Sequence, residues 1–587
     1  MILVDAKGVT MSRPGRELFS GISLTISTGE RLALVGLNGT GKTTLVDVLT
    51  GARDPEEGTV VHGRGIRVAT LDQNPDLGMG TIAECIESVD GGRWEIEAAL
   101  DRLGMGTDLD RSVKDLSGGE RKRVALAMTL VHPSDLLILD EPTNHLDIDG
   151  IEWLEQHLRS YKGGLILVTH DRHVLDRVTN RIFELDRGKG YLHIGGYSSF
   201  LEGKAEREER AASAEKVRSN LAQRELAWLR RGAPARTSKA KARIRSATAL
   251  VEARPEAQAR DGSLDLHFGT PRLGNDVIEL KQVSFAYPGE QTPLLDDVTL
   301  SLDPRERLGI VGKNGSGKST LLDLLAGKIA PDGGTTLRGS TVELELFDQQ
   351  GTSLDPSKRV WEHVVGDDGA KPDWRDKALM DAFWFDADAQ FAPVELLSGG
   401  ERRRLQLLIT LARQPNVLLL DEPTNDLDLD TLRSLEDFLE SFPGAVVVVS
   451  HDRAFLERTV DDVIILDGTG SAERMPGGYE AYENIRRGKQ AMPQQAADAV
   501  TNVTPSKKPV PQASGRSHST IRHDLKTVEA AMRKAEKRQA QLTDELNADG
   551  GDHAELARIG ALLAEVSAQL SSDEERWLDL SEEMENR

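Results

Sequence analysis

At 587 residues the chain is longer than one hydrophobic core organises, and with 38% hydrophobic residues it has apolar material for roughly three to five domains. It carries 96 acidic against 73 basic residues, a net charge of -23. No apolar run approaches the ~20 residues of a membrane span, and the opening MILVDAKG lacks the charged-then-apolar order of a signal peptide, so a cytoplasmic protein without a membrane domain is expected. A single cysteine, Cys85, excludes an intrachain disulfide and a cysteine-built metal site.

Residues 31–43, RLALVGLNGTGKT, read as a buried strand, a glycine-rich loop and a helix start. Gly36, Asn38, Gly39, Gly41, Lys42, Thr43 and Thr44 fit the pattern GxxxxGK[ST]. Its glycines turn backbone N–H groups inward around phosphate oxygens, its lysine reaches the terminal phosphates and its hydroxyl suits Mg2+. An innocent strand–turn–helix is the alternative for one such match, but the pattern recurs as Gly312, Asn314, Gly315, Gly317, Lys318, Ser319 and Thr320. Gly36 maps to Gly312, and Gln73 to Gln349, at an offset of 276. LSGGE at 116–120 maps to LSGGE at 397–401 at 281, an offset that Asp140 and Asp421, and His170 and His451, share. So many fixed points mark an internal duplication.

LLILDEPTNHLD at 136–147 and VLLLDEPTNDLD at 417–428 begin as strands apolar on both alternations, as burial on both faces of a parallel sheet requires. With the loops above they resemble the ATP-binding cassette superfamily across residues 1–200 and 275–485. The resemblance implies an ATPase whose cofactors are ATP and Mg2+. It gives Asp140 and Asp421, with Thr43, Ser319, Gln73 and Gln349, to the Mg2+ shell, with Gln350 as the fallback in the second copy. Glu141 and Glu422 would polarise the attacking water, and His170 and His451 would contact the γ-phosphate. It also has each LSGGE cap the nucleotide held by the other cassette. Site one would then be closed by Ser398 and Gly400, and site two by Ser117 and Gly119. Tyr287 stands where the family stacks an aromatic ring on adenine, whereas the first copy has Arg13 there; Asp426 replaces the counterpart of His145. Unequal sites are expected.

Between the cassettes, Leu201 to Glu225 has helical composition, Gly232 and Pro234 break it, and residues 238–252 resume it. From Arg224 to Arg254 nine basic residues face two acidic ones, a net of +7 inside an acidic protein, which suits a polyanion. Trp228, Arg230, Arg231, Arg236, Lys239 and Lys241 at and beside the break are the candidate nucleic-acid residues, arginines forking onto phosphates and tryptophan stacking on a base. A solvated spacer hairpin is the alternative. Tandem cassettes, PTNHLD and this linker resemble the ABC-F family, whose members act on the ribosome; the linker would point at tRNA and rRNA.

Residues 489–520 are rich in Pro, Ser, Gln and Ala and read as a tether. Heptads at Ile521 to Leu546 and Leu556 to Met584, across Asp549-Gly550-Gly551-Asp552, predict an antiparallel coiled-coil hairpin. That hairpin makes the chain most similar to the Uup branch, where the domain is associated with DNA, although residues 521–587 hold nine basic against sixteen acidic residues.

The expected fold is therefore α/β: cassettes at 1–200 and 275–488, joined by a helical hairpin linker at 201–260, then the tether and the coiled coil at 521–587. The expected function is a monomeric ATPase that gates ribosome binding. The rival is a DNA-associated ATPase working through the coiled coil, and a transporter motor has little support.

Overall fold

The computed structural model describes residues 1–210, 213 and 271–490, apart from 14–15, 74, 88–91, 107, 291, 349–353 and 367–370. The linker tip with Trp228, Arg230, Arg231, Arg236, Lys239 and Lys241, the tether, the coiled coil and Gln349 all lie outside the described residues. The chain forms two compact units. One is drawn from Met1–Leu266, Thr352–Leu408 and Thr424–Phe438, the other from His267–Gly351, Ile409–Pro423 and Leu439–Arg587.

In the first unit β1 (Ile2–Arg13), β2 (Arg16–Ser27) and β4 (Glu57–His62) make an antiparallel sheet ordered β2-β1-β4. Strands β3 (Arg31–Gly36), β5 (Val68–Leu71), β6 (Leu136–Asp140), β7 (Gly164–Val168), β8 (Arg181–Asp186) and β9 (Lys189–Ile194) form a six-stranded sheet ordered β5-β6-β7-β3-β8-β9. All its pairings are parallel except β8 with β9. Every residue of LLILD in β6 and GLILV in β7 is buried, which is what helices and the antiparallel sheet covering the two faces demand. The carboxyl ends of β3, β6 and β7 carry the phosphate loop, Asp140–Glu141 and Thr169–His170 respectively, so strand order alone gathers the motifs at one edge. Helix α1 (Lys42–Thr50) follows the phosphate loop, α2 (Ile82–Glu87) and α3 (Arg93–Arg102) form the helical insert, and α4 (Gly118–Val131) starts in LSGGE. Asp147 caps α5 (Ile148–Ser160) and Asp171 caps α6 (Arg172–Val178), each accepting a backbone N–H three residues on.

The second unit repeats the plan: β10 (Ile278–Phe285), β11 (Leu295–Leu302) and β13 (Gly333–Arg338) in the order β11-β10-β13, beside a sheet ordered β14-β15-β16-β12-β17-β18. Its strands are β12 (Arg307–Gly312), β14 (Leu344–Phe347), β15 (Val417–Asp421), β16 (Ala445–Val449), β17 (Asp462–Leu466) and β18 (Ala472–Pro476).

Helix continues from residue 197 to 210, through the cassette–linker boundary expected at 200. The reason is packing. Phe200 is buried among Ala33, Val35, Leu175 and Ile182 and against Leu429, which begins the helix Leu429–Ser441 of the second copy. Lys204 lies 2.5 Å from Asp430 and 3.7 Å from Glu184, and Arg207 reaches Glu184 at 2.5 Å. The linker root is thus bolted into the first unit. Phe200→Ala should cost about 3–5 kcal/mol, read as an earlier unfolding transition; an unchanged transition would contradict this packing.

Candidate functional site

The phosphate loop that follows β3 is shaped by glycines with no room for a side chain. Gly36 has φ +148°, and a Cβ there would lie 2.3 Å from the Leu185 carbonyl oxygen. Gly41 caps α1 in the left-handed region without any side-chain cap, leaving the first N–H groups of the helix directed at the loop. Lys42 is buried, and its Nζ donates to Gly36 O at 2.7 Å, Leu37 O at 3.3 Å and Asn38 Oδ1 at 3.3 Å. Burial pushes its pKa down, opposed by the carboxylates of Asp428, Glu141 and Asp140. Thr43 Oγ1 donates to Asp140 Oδ2 at 3.1 Å.

Segments of the second copy meet this loop inside the first unit. The Asn38 N–H donates to Asp428 Oδ2 at 3.0 Å, and Asn38 Nδ2 donates to the Asp426 carbonyl at 2.6 Å. Asn144 Nδ2 donates to Asp426 Oδ1 at 3.3 Å. Gly400 is required where it stands, since a Cβ there would fall 2.1 Å from Asn38 Nδ2; a Cβ on Gly39 would lie 3.0 Å from Glu401 Oε1. The Ser398 hydroxyl donates to Glu401 Oε2 at 2.7 Å. Lys42, Asn38, Gly39, Ser398 and Gly400 are thereby brought together.

Glu141 adopts φ +49° and donates its N–H to Val168 O at 2.8 Å, which seats the carboxyl beside β7. Burial and then Asp140 push its pKa up to about 8, against Lys42 and Lys122. His170 Nε2 lies 3.3 Å from Glu141 Oε1. Burial and Lys42 push His170 down to about 3, so its imidazole is neutral near pH 7, and its buried Nδ1 has no partner among the described residues. Asp140 is raised by burial, against the Thr43 hydrogen bond and the charge of Lys122. Gln73 is exposed just beyond β5, and Arg13 is exposed at the end of β1. Ser117 caps α4 in a capping box with Glu120; a Cβ on Gly119 would sit 3.1 Å from His145 Cβ.

In the second unit Lys318 Nζ donates to Gly312 O at 3.0 Å and Lys313 O at 2.9 Å, and a Cβ on Gly312 would lie 2.3 Å from Leu466 O. Gly317 is the left-handed cap of the helix Lys318–Ala326, while Asn314, Gly315 and Ser319 are exposed. Glu422 repeats the positive φ at +46°, and His451 Nε2 lies 3.5 Å from Glu422 Oε1. The Tyr287 hydroxyl hydrogen-bonds Thr320 Oγ1 at 3.1 Å, while its ring, edge-on to Phe285, stays 46% exposed.

Sequence reasoning missed three residues of the first site. Lys122, buried on α4, places a cation in the field of Glu141, Asp140 and Asp426. Asp428 and Asn144 lie within their motifs with no role legible there, because their partners lie 390 and 282 residues away.

Uncapped helix starts, glycine cradles that a Cβ would fill and buried lysines fit a polyphosphate. Among the described residues no group of three or more His, Cys, Asp or Glu could hold a metal by itself. Thr43 and Asp140 offer a hydroxyl and a carboxylate together, the small donor set suited to an Mg2+ ion that shares its shell with phosphates.

Burial of Glu141 has a thermodynamic consequence. Its raised pKa means the folded chain keeps a proton that the unfolded chain releases above about pH 4.5, so this group's contribution to stability is lost as pH rises towards about 8. Without nucleotide, Glu141→Gln should therefore match the parent in thermal unfolding near pH 5 and melt several degrees higher by pH 8; equal shifts at both pH values would contradict the assignment.

Comparison with known proteins agrees with this geometry. Residues 19–144 and 295–425 match the family described as ABC transporter, residues 183–266 match a second family of the same description, and residues 519–582 match the ABC transporter C-terminal domain. The ABC transporter ATP-binding protein YfmR of Bacillus subtilis is 39% identical over 638 residues, covering 100% of both chains. The energy-dependent translational throttle protein EttA of Escherichia coli is 37% identical over 523 residues, covering 81% of this chain and 94% of that one. Among solved structures, the archaeal ribosome recycling factor aABCE1, in complex with ribosomal stalk protein aP1, shares 20% identity with a TM-score of 0.58 over 82% of this chain and 92% of its own, a likeness of fold. Duplicated cassettes, an interposed linker and 39% identity over the full chain to one such relative place the chain in the ABC-F family, as an enzyme that binds and hydrolyses ATP.

Proposed function

We propose that this ATPase gates binding to the ribosome. Two observations support the reading: the first phosphate loop is held against the signature loop and D-loop of the second copy, and the chain is 37% identical to proteins named translational throttles. ATP bound at such a loop bridges segments of both copies, so its cleavage is a natural release signal for whatever the linker holds.

In this reading Lys42 turns from its loop carbonyls to the β- and γ-phosphates, and the N–H groups at the start of α1 bind phosphate oxygens. Thr43 and Asp140, with Gln73, are the residues that would hold Mg2+, which when bound neutralises charge on the phosphates. In its ionised form Glu141 orients the attacking water and takes its proton. The neutral His170 imidazole steadies that carboxyl and faces the γ-phosphate. Lys318, Ser319, Asp421, Glu422, His451 and Gln349 carry the same parts in the second copy, with Tyr287 on adenine where the first has Arg13. Trp228, Arg230, Arg231, Arg236, Lys239 and Lys241 meet tRNA or rRNA, and the setting is the cytoplasm. The C-terminal segment supports a place in the Uup branch.

Glu141→Gln with Glu422→Gln should lower ATP turnover by at least 100-fold, on the order expected when a positioned base is lost, and should trap the protein on 70S ribosomes or a subunit in a sucrose gradient with ATP. Arg230, Arg231 and Arg236 to Glu should abolish that cosedimentation. If the trapped variant stays at the top of the gradient, while truncation after residue 490 removes binding to branched DNA, the ribosomal reading fails in favour of DNA.

A further inference from the structure

The two signature loops are identical in sequence and differ in what holds their glutamate. In the first, Arg111 Nη1 donates to Glu120 Oε1 at 2.8 Å while Oε2 accepts the Ser117 N–H at 2.8 Å. Burial pushes Glu120 up, yet the hydrogen bond from Arg111, with the Ser117 backbone and hydroxyl, holds it down to about 2. In the second loop the offset of 281 puts Ala392 where Arg111 stands. Glu401 Oε2 takes both the Ser398 N–H at 2.9 Å and the Ser398 hydroxyl at 2.7 Å. Its Oε1 faces the first phosphate loop, within 3.0 Å of where a Cβ on Gly39 would be. A carboxylate there stands against a loop built for phosphate, and like charges at this spacing repel. It also engages the Ser398 hydroxyl, as Glu120 engages that of Ser117, so the difference between the loops is the arginine.

We propose that Glu401 acts as a built-in competitor for the triphosphate at the first phosphate loop, and that the missing arginine at position 392 is what leaves it competent to compete. The proposal rests on the composite-site reading above and deepens it, by naming a residue that tunes nucleotide affinity there. Glu401 is in this sense a positioning residue: it acts through Ser398 and through its own charge. The first signature loop shows the neutralised state of the same machinery, with Arg111 spanning from outside the motif. An arginine at 392 would draw Glu401 Oε1 off Gly39 and leave the loop to the phosphates.

The test is equilibrium binding of radiolabelled ATP with Mg2+ to the full chain carrying Glu141→Gln and Lys318→Ala, so that the first loop is the one read and no turnover occurs. Adding Glu401→Gln should tighten Kd by about threefold to tenfold at low salt, with the gain shrinking as salt screens the charge. Ala392→Arg should tighten it similarly, and should add nothing once residue 401 is Gln. An unchanged or weaker Kd for both variants at low salt overturns the proposal. ATP binding that survives the further change Lys42→Ala overturns the phosphate-loop reading itself, and the proposal with it.

Discussion

The structure turns on a pair of hydrogen bonds between residues 390 and 388 apart in sequence: the Asn38 N–H on Asp428 and the Asn38 amide on the Asp426 carbonyl. They join the tip of one phosphate loop to the D-loop of the other copy. Asp428 serves two ends at once, because its Oδ1 also accepts the N–H and hydroxyl of Thr431 and so starts the helix that carries Leu429 and Asp430. That helix meets Phe200 and Lys204 of the linker root. The nucleotide loop, the D-loop and the base of the linker are therefore links in one short mechanical chain.

Electrostatics gives the same site its readiness. Four buried ionisable groups, Lys42, Lys122, Asp140 and Glu141, crowd together, and each is pushed towards its neutral form by desolvation. Such an arrangement is poorly satisfied by itself and well satisfied by a polyanion with its counter-cation. The neutral His170 adds a polar group without adding charge. The positive φ of Glu141, repeated at Glu422, is a local strain kept in both copies, and it sets each carboxyl at the mouth of a buried strand.

Most of the fold was legible because contiguous motifs encode their own backbone. Runs such as LLILD and VLLLD are apolar on both alternations, the pattern of central parallel strands, and they stand with a GxxxxGK loop that turns about glycines. Gly36, Lys42, Thr43, Asp140, Glu141 and His170 fall where the motifs put them. What stayed hidden depends on distant segments meeting. Lys122 reads as one more basic residue in ERKR until α4 is folded beside β5 and brings it into the field of Asp140 and Glu141, and Arg111 lies outside the motif it serves. Charge also migrates between copies: Glu30 pairs with Arg181 on β8, whereas its counterpart Glu306 pairs with Arg474 on β18, which also holds Asp462 at 2.7 Å. A repeat aligned by offset conceals that exchange, because the partner moved to a neighbouring strand. The anchoring of the linker root is hidden for a related reason: residues 201–210 read as a charged helix, and among the described residues Tyr197, Phe200, Leu201, Lys204 and Arg207 tie it to the first unit.

The central claim is that the first phosphate loop and the second signature loop build one site. Its most direct test is a cysteine pair at Asn38 and Gly400 in a chain whose only native cysteine, the buried Cys85, is changed to Ala. A Cβ at position 400 lies 2.9 Å from Asn38 Cβ, so once the Asn38 amide is gone a parting of the two loops by about 1 Å reaches disulfide spacing, and mild oxidation should join the pair and reduction release it. A folded protein whose two cysteines stay apart with and without ATP would contradict the account.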